Sequence, residues 1–264
     1  MDAALLESVS KVFRHRPALF NWIGREQTGE THALNGISLR VPTGKVLVLL
    51  GPNGSGKTTV LKLIATVLLP DSGRVVVEGS DTRDEPGRVR QHVGFAVAAE
   101  RSFFPRLSAR ENLDFFATLD NVPRGRRPRE IEHVLHSVGL TEHADKLVMK
   151  FSSGMYQRLG LARALIKKPS LILLDEPTRS VDPGSAAHCW DLVRELPRTG
   201  CTVILATHSF QEASAVADEV AILNRGCMTR VQPSPGSVDE LRSFYFQVTG
   251  EMDPGMVLAS GGTF

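Results

Sequence analysis

Lys45-Val-Leu-Val-Leu-Leu-Gly-Pro-Asn-Gly-Ser-Gly-Lys-Thr-Thr59 reads as a buried strand that runs into a glycine-rich turn. Gly51 to Thr58 fits the spacing G-x-x-x-x-G-K-[ST]. Small residues in such a loop let successive backbone N–H groups turn inward around phosphate oxygens, and a following helix adds its positive end. In that role Lys57 reaches the β- and γ-phosphates and the Thr58 hydroxyl takes Mg²⁺. The flanks agree. Val46–Leu50 is a short apolar run preceded by Pro42 and Gly44, as expected of a buried strand. Val60, Leu61, Ile64, Val67 and Leu68 recur at helical spacing and predict a helix over Thr58–Leu69, closed by Pro70 and Gly73. The bland alternative is a glycine turn without a ligand.

The chain has 264 residues, 42% hydrophobic and 23% charged, with a net charge of +2. That is enough for one large domain with a real core, and the charge does not call for nucleic acid. Cys189, Cys201 and Cys227 have no metal or redox spacing. They read as small core residues in a reducing compartment. No apolar run reaches the roughly 18 residues of a membrane-spanning helix. The start, Met1 to Glu7, is acidic and short, unlike a signal peptide. The chain reads as cytosolic, and any membrane role would need a partner.

Strand patterns recur at Ile37–Val41, Val46–Leu50, Val75–Glu78, Val93–Val97, Leu171–Asp175, Thr202–Ala206 and Glu219–Leu223. Helical patterns fall between many of them. The order predicts an α/β domain with a mostly parallel sheet and antiparallel strands near the N-terminus. Three helical candidates, Ser108–Leu119, Arg129–Val138 and Ser153–Lys167, predict a helical subdomain inserted at about residues 100–168; Ser108 and Glu111 have capping-box spacing. Arg14 to Glu30 mixes arginines with Leu19, Phe20, Trp22 and Ile23. It reads as a surface loop or short helix, with a peripheral lipid contact as the sharper alternative. Arg124, Arg126, Arg127 and Arg129 lack interleaved aromatics and read as a solvated loop.

Two more strands end in chemistry. Leu171-Ile-Leu-Leu-Asp-Glu-Pro-Thr178 places Asp175 and Glu176 at a strand's carboxyl end, where open α/β sheets bind ligands. Asp175 there holds Mg²⁺. Glu176 orients, or takes a proton from, the water attacking a γ-phosphate. Thr202-Val-Ile-Leu-Ala-Thr-His208 ends in a histidine within reach of the same phosphate.

Upstream of the Asp-Glu strand stands Phe151-Ser-Ser-Gly-Met-Tyr-Gln-Arg158, then Leu-Gly-Leu-Ala-Arg-Ala-Leu165. A serine hydroxyl and a glycine N–H at a helix start make a second anion site. This stretch resembles the signature motif, usually written LSGGQ, of the ATP-binding cassette ATPases, which are P-loop nucleotide triphosphatases. The resemblance covers residues 6–230 and leaves 231–264 as a short tail. It implies that Gly51, Pro52, Asn53, Gly54, Ser55, Gly56, Lys57, Thr58 and Thr59 form the Walker A loop. It makes Asp175 the metal carboxylate and Glu176 the catalytic one. Ser180-Val-Asp182 becomes the D-loop, and His208 the switch histidine. Phe13 takes the place of the aromatic that stacks on adenine, the alternative being a core residue of an edge strand. The family's glutamine after Val93–Val97 is missing; the text reads Ala98-Ala-Glu-Arg-Ser-Phe-Phe-Pro105. Glu100 is the nearest polar substitute, expected to join the metal.

The resemblance also implies partners. In this family the signature residues, here Ser152, Ser153, Gly154 and Met155, contact nucleotide held by a second chain. ATP and Mg²⁺ are the implied cofactors. A second copy and integral-membrane permease subunits are the implied partners, with exposed Phe103 and Phe104 part of the socket. The reading is an export-type transporter ATPase. The runner-up is a soluble single-cassette ATPase acting in an assembly, and a third is a nucleotide-binding regulator without turnover, which the intact Asp175, Glu176 and His208 set disfavours.

Overall fold

The computed structural model describes residues 2–14, 29–97, 102–179 and 181–250. Its first sheet is antiparallel, built from β1 (Asp2–Arg14), β2 (Glu30–Pro42), β4 (Ser72–Val77) and β5 (Ser80–Asp81) in the order β2-β1-β4-β5. β1 and β2 pair along their lengths, from Asp2 opposite Pro42 to Arg14 opposite Glu30. The second sheet holds β3 (Val46–Leu50), β6 (Val93–Val97), β7 (Leu171–Asp175), β8 (Thr202–Thr207), β9 (Glu219–Asn224) and β10 (Cys227–Pro233), in the order β10-β9-β3-β8-β7-β6. Every pairing in it is parallel except β9 with β10.

The inner strands of the parallel sheet are apolar throughout because both faces are covered. Leu47, Leu49, Leu171, Leu173 and Ile204 point into one core, shared with the antiparallel sheet and with α1 (Lys57–Ile64). Val46, Val48, Leu50, Ile172, Leu174 and Val203 alternate with them and point into the other core, among the helices. These helices are α3 (Ala109–Leu119), α4 (Arg127–Ser137), α5 (Ser153–Leu165), α6 (Pro183–Glu195), α7 (Phe210–Val216) and α8 (Val238–Thr249). The remaining helix, α2 (Pro86–His92), leads into β6.

α3 starts where its capping box predicts. Ser108 Oγ accepts from Glu111 N at 3.2 Å, and Glu111 Oε2 accepts from Ser108 N at 2.7 Å. Ser108→Ala removes one half of this exchange, and a loss of about 1 kcal/mol is expected in urea unfolding.

Several expectations are corrected. α1 stops at Ile64, not Leu69: Thr66 takes φ +60°, and Val67 is 60% exposed. Phe103 is not exposed. It is 6% accessible, with Phe116 and Tyr156 packed edge-on at 5.6 and 5.1 Å, while Phe104 is 44% exposed and meets Phe115 at 4.8 Å. Part of the tail is built into the domain, since α8 buries Leu241 and Tyr245 in the helix-side core. Cys189 and Cys201 are buried, their thiols pushed up to about 12 and about 11 by desolvation, but Cys227 is exposed. β1 lies between β2 and β4 as far as Ser10, but at Phe13 it pairs with β2 alone, and Phe13 is half-buried instead of core. Nearly all of the 14–30 segment lies outside the described residues.

Candidate active site

Register assembles the site. Leu50 lies opposite Thr207, and Asp175 lies opposite both Ala206 and Val97. The loops after β3, β8 and β7 therefore leave the parallel sheet from one edge, at its carboxyl end, where ligands bind in such folds.

The phosphate loop is held tightly against its neighbours. A Cβ on Gly51 would lie 2.1 Å from the Leu223 carbonyl oxygen, and one on Gly56, at φ +110°, 2.6 Å from that of Ala33. Both glycines are thus required by close backbone approach as well as by any phosphate. Pro52, Asn53, Gly54 and Ser55 form the turn, with Ser55 N donating to Pro52 O at 3.2 Å. No side chain caps α1. The first N–H groups of that helix, around Thr58 and Thr59, are therefore left uncapped by a side chain, as suits an anion site. Ser55 Oγ is buried without a hydrogen-bond partner.

Lys57 Nζ donates to Gly51 O at 2.7 Å and Pro52 O at 3.1 Å and lies 3.8 Å from Glu176 Oε1. Desolvation holds the Lys57 ammonium below its ordinary value, opposed by Glu176 and Asp175. Thr58 Oγ1 lies 2.9 and 3.1 Å from the two Asp175 oxygens. Burial pushes the Asp175 carboxyl up, opposed by the Thr58 bond. A buried carboxylate beside a hydroxyl is a pair of hard oxygen donors that a divalent cation relieves, and it fits Mg²⁺, which takes few protein ligands beside substrate phosphates.

Glu176 follows directly. Its backbone takes φ +53°, unusual for a non-glycine residue, and is fixed by Glu176 N donating to Ala206 O at 2.9 Å. That turn aims its side chain at His208, whose Nδ1 lies 2.8 Å from Glu176 Oε2. Lys57, Thr58, Asp175, Glu176 and His208 are thereby brought together.

The signature residues take another place. Ser152 caps α5, its Oγ accepting from Met155 N at 3.3 Å. Ser153 is exposed, and Gly154 faces Ser185 and Val181 at the start of α6, not the phosphate loop. Asp182 has a role the sequence reading missed: it caps α6, its Oδ1 accepting from Ser185 N at 3.0 Å, which holds its carboxyl low. Phe13 pairs with Thr31, two residues from Ala33 and so near the Gly56 end of the loop. Glu100 and Ser180 lie outside the described residues. Glu212 was also missed; its signal was the Ser209-x-x-Glu212 spacing, realised as Glu212 N donating to Ser209 Oγ at 3.2 Å.

A glycine loop between a parallel strand and its helix, beside a strand ending in Asp-Glu, defines a P-loop nucleotide triphosphatase domain. Comparison with known proteins narrows the class. The family model described as ABC transporter matches residues 34–179. The chain is 37% identical over 215 residues to the daunorubicin resistance ATP-binding protein DrrA3 of Streptomyces coeruleorubidus, across 81% of this chain and 66% of that protein. It is 35% identical over 194 residues to the ABC transporter ATP-binding protein NatA of Bacillus subtilis, across 74% and 79%. The dimeric post-hydrolysis structure of the ATP-binding cassette MJ0796, bound to ADP and Pi, superposes with a TM-score of 0.76 at 26% identity, covering 89% of this chain and all of that one. The chain belongs to the ABC transporter family. It spans slightly under two thirds of the length of relatives such as DrrA3, at 66%, and DrrA of Streptomyces peucetius, at 63%. Among the described residues no helix is long and apolar enough to cross a membrane.

Proposed function

We propose that this chain binds and hydrolyses ATP to power an exporter, as the nucleotide-binding subunit on the cytoplasmic face of a membrane. The carrying observation is the Glu176 carboxylate, held 2.8 Å from His208 Nδ1 and 3.8 Å from Lys57 Nζ beside the Thr58–Asp175 pair. In this reading Gly51–Thr59 wraps the phosphates, Phe13 stacks on the base and Lys57 neutralises the γ-phosphate. Thr58 and Asp175 would hold Mg²⁺, which would supply charge neutralisation of the phosphates. Glu176 accepts the proton of the water that attacks the γ-phosphorus, as the bond to the β-phosphate's bridging oxygen breaks. His208 keeps Glu176 aimed and senses the γ-phosphate.

The site is half of a working one. Gly154 packs beside Ser185 and Val181, and Met155 is buried in the helix-side core; in this reading a second copy supplies Ser152, Ser153, Gly154 and Met155, with its Asp182 segment beside them. Two ATP molecules then lie between two chains, and closure follows from their stronger binding to the closed pair. The catalytic cassette is residues 6–230, with the helical subdomain at about 100–168 and residues 231–264 accessory to it. Phe104, Phe115 and Leu119, exposed by 44%, 40% and 62%, belong to the face that receives the membrane partner. Similarity to proteins named for drug resistance favours export.

The test is ATP turnover by the purified chain and the identity of what co-purifies from membranes. Turnover is expected with Mg²⁺, lost on adding EDTA, and Glu100→Ala is expected to raise the Mg²⁺ needed for half-maximal rate. Co-purification with a protein of several spanning helices supports transport. Capture of assembly proteins without any membrane protein overturns it in favour of a soluble assembly ATPase.

A further inference from the structure

Glu212 is a buried carboxylate that the mechanism above does not use. It is 1% exposed, at the third position of α7. Its Oε1 accepts from Thr178 Oγ1 at 2.7 Å and from Trp190 Nε1 at 3.3 Å, and its carboxylate is also bonded to the Thr207 side chain. Thr207 Oγ1 in turn accepts from Ser209 N at 3.0 Å. The three donors come from three segments. Thr178 stands two residues after Glu176, Thr207 immediately precedes His208, and Trp190 lies in α6, the helix that Asp182 opens.

Capping α7 does not require this carboxylate, because Ser209 Oγ already takes the Glu212 N–H. Burying a carboxylate is costly unless its lone pairs are satisfied. Burial pushes the Glu212 carboxyl up; bonds from Thr207, Thr178 and Trp190 act against it, and the nearby Glu176 charge adds to it. The gain that offsets this cost is geometric: one side chain joins the loops that carry both reacting groups. From the other side, Gln157 Nε2, next to the signature residues, donates to the neighbouring Arg179 O at 2.6 Å.

We propose that Glu212 is a positioning residue for hydrolysis, clamping Thr178 and Thr207 to α6 so that Glu176 and His208 stay paired. It rests on the reading that Glu176 and His208 carry the reaction.

The experiment compares kcat, KM for MgATP, ADP affinity and thermal midpoint for the unmodified chain, Glu212→Ala, Glu212→Gln, Thr178→Val and the Thr178→Val/Glu212→Ala pair. Glu212→Ala is expected to lower kcat by about tenfold or more, with KM and ADP affinity within about twofold, because only the step that needs the pair is affected. Glu212→Gln, whose amide oxygen still accepts from Thr178 and Trp190, recovers most of the rate. Thr178→Val alone lowers kcat by roughly threefold and adds nothing to Glu212→Ala, as expected of residues acting through one contact. If Glu212→Ala does not fold, the glutamine and valine variants carry the test. A lowered thermal midpoint with kcat unchanged in every variant overturns the proposal, and so does full additivity in the pair. An unmodified chain without turnover removes the hydrolysis reading and this one with it; normal turnover with unaffected variants removes this one alone.

Discussion

Glu176→Gln is expected to lower steady-state ATP turnover by about 10²- to 10⁴-fold, the range for removing a general base. Nucleotide affinity is expected to stay within roughly a few-fold, since the phosphate loop supplies most of the contacts. The replacement keeps the volume, and its amide oxygen can still accept from His208 Nδ1, which lies 2.8 Å from the present carboxylate. What it cannot do is take up the water's proton. Losing the charge 3.8 Å from Lys57 Nζ also removes one of the two carboxylates that oppose the desolvation of that ammonium. Lys57 is then held further below its ordinary value until γ-phosphate arrives to replace the partner. ATP left uncleaved should prolong closure of the two chains. Single-turnover kinetics with sedimentation analysis checks both parts. Unchanged turnover would remove Glu176 from the mechanism.

The second large effect belongs to the signature residues. Gly154→Asp is expected to abolish ATP-driven pairing and cut turnover by about 10³-fold while leaving ADP binding to the single chain intact. A Cβ at Gly154 meets Ser185 Oγ at 3.4 Å and Val181 at 3.7 Å, ordinary contact distances, so the backbone itself accepts a side chain. The damage is electrostatic. In the proposed closed pair the new charge, at the start of α5, comes close to the γ-phosphate bound by the other copy. Two like charges about 4 Å apart repel by about 4 kcal/mol at an effective dielectric constant near 20, or roughly three decades. Sedimentation with ATP and Glu176→Gln as the pairing-competent background reads this directly. Persistent pairing would mean that Ser152–Met155 do not meet the partner's nucleotide.

Local chemistry made most of the site legible. Gly51–Thr58 and Leu171–Thr178 each place their chemistry within one strand and the turn after it, so spacing alone reveals them. β1 was harder because its alternation is broken. Register shifts fall between Leu6 and Val9 and between Val9 and Lys11, and Ser8 takes φ +47°. A period of two does not survive such bulges. Val67 and Leu68 kept helical spacing, yet the chain unwinds at Thr66, after which Val67 turns to solvent while Leu68 still packs against the core. Leu241 and Tyr245 sit one helical turn apart, a signal outweighed by the polar residues around them. The Ser209-x-x-Glu212 spacing marks only the start of α7; the carboxylate's partners were not readable, because Thr178, Trp190 and Thr207 meet it only after three elements pack. Phe103 illustrates the same limit: its burial depends on Phe116 and Tyr156, which come from α3 and α5.

The pairing of Arg14 with Glu30 has an evolutionary consequence. Both ends of the stretch between them are pinned at one point of the β1–β2 hairpin, so residues can be gained or lost there without shifting a backbone pair in either sheet. β7 offers no such slack. Each of its five residues is matched to a partner in both β6 and β8. Deleting one would move Glu176 into the position of Asp175 and turn every side chain after it to the opposite face. Length polymorphism among descendants of this chain should therefore collect between residues 14 and 30, and a spliced-in epitope or fluorescent tag belongs there.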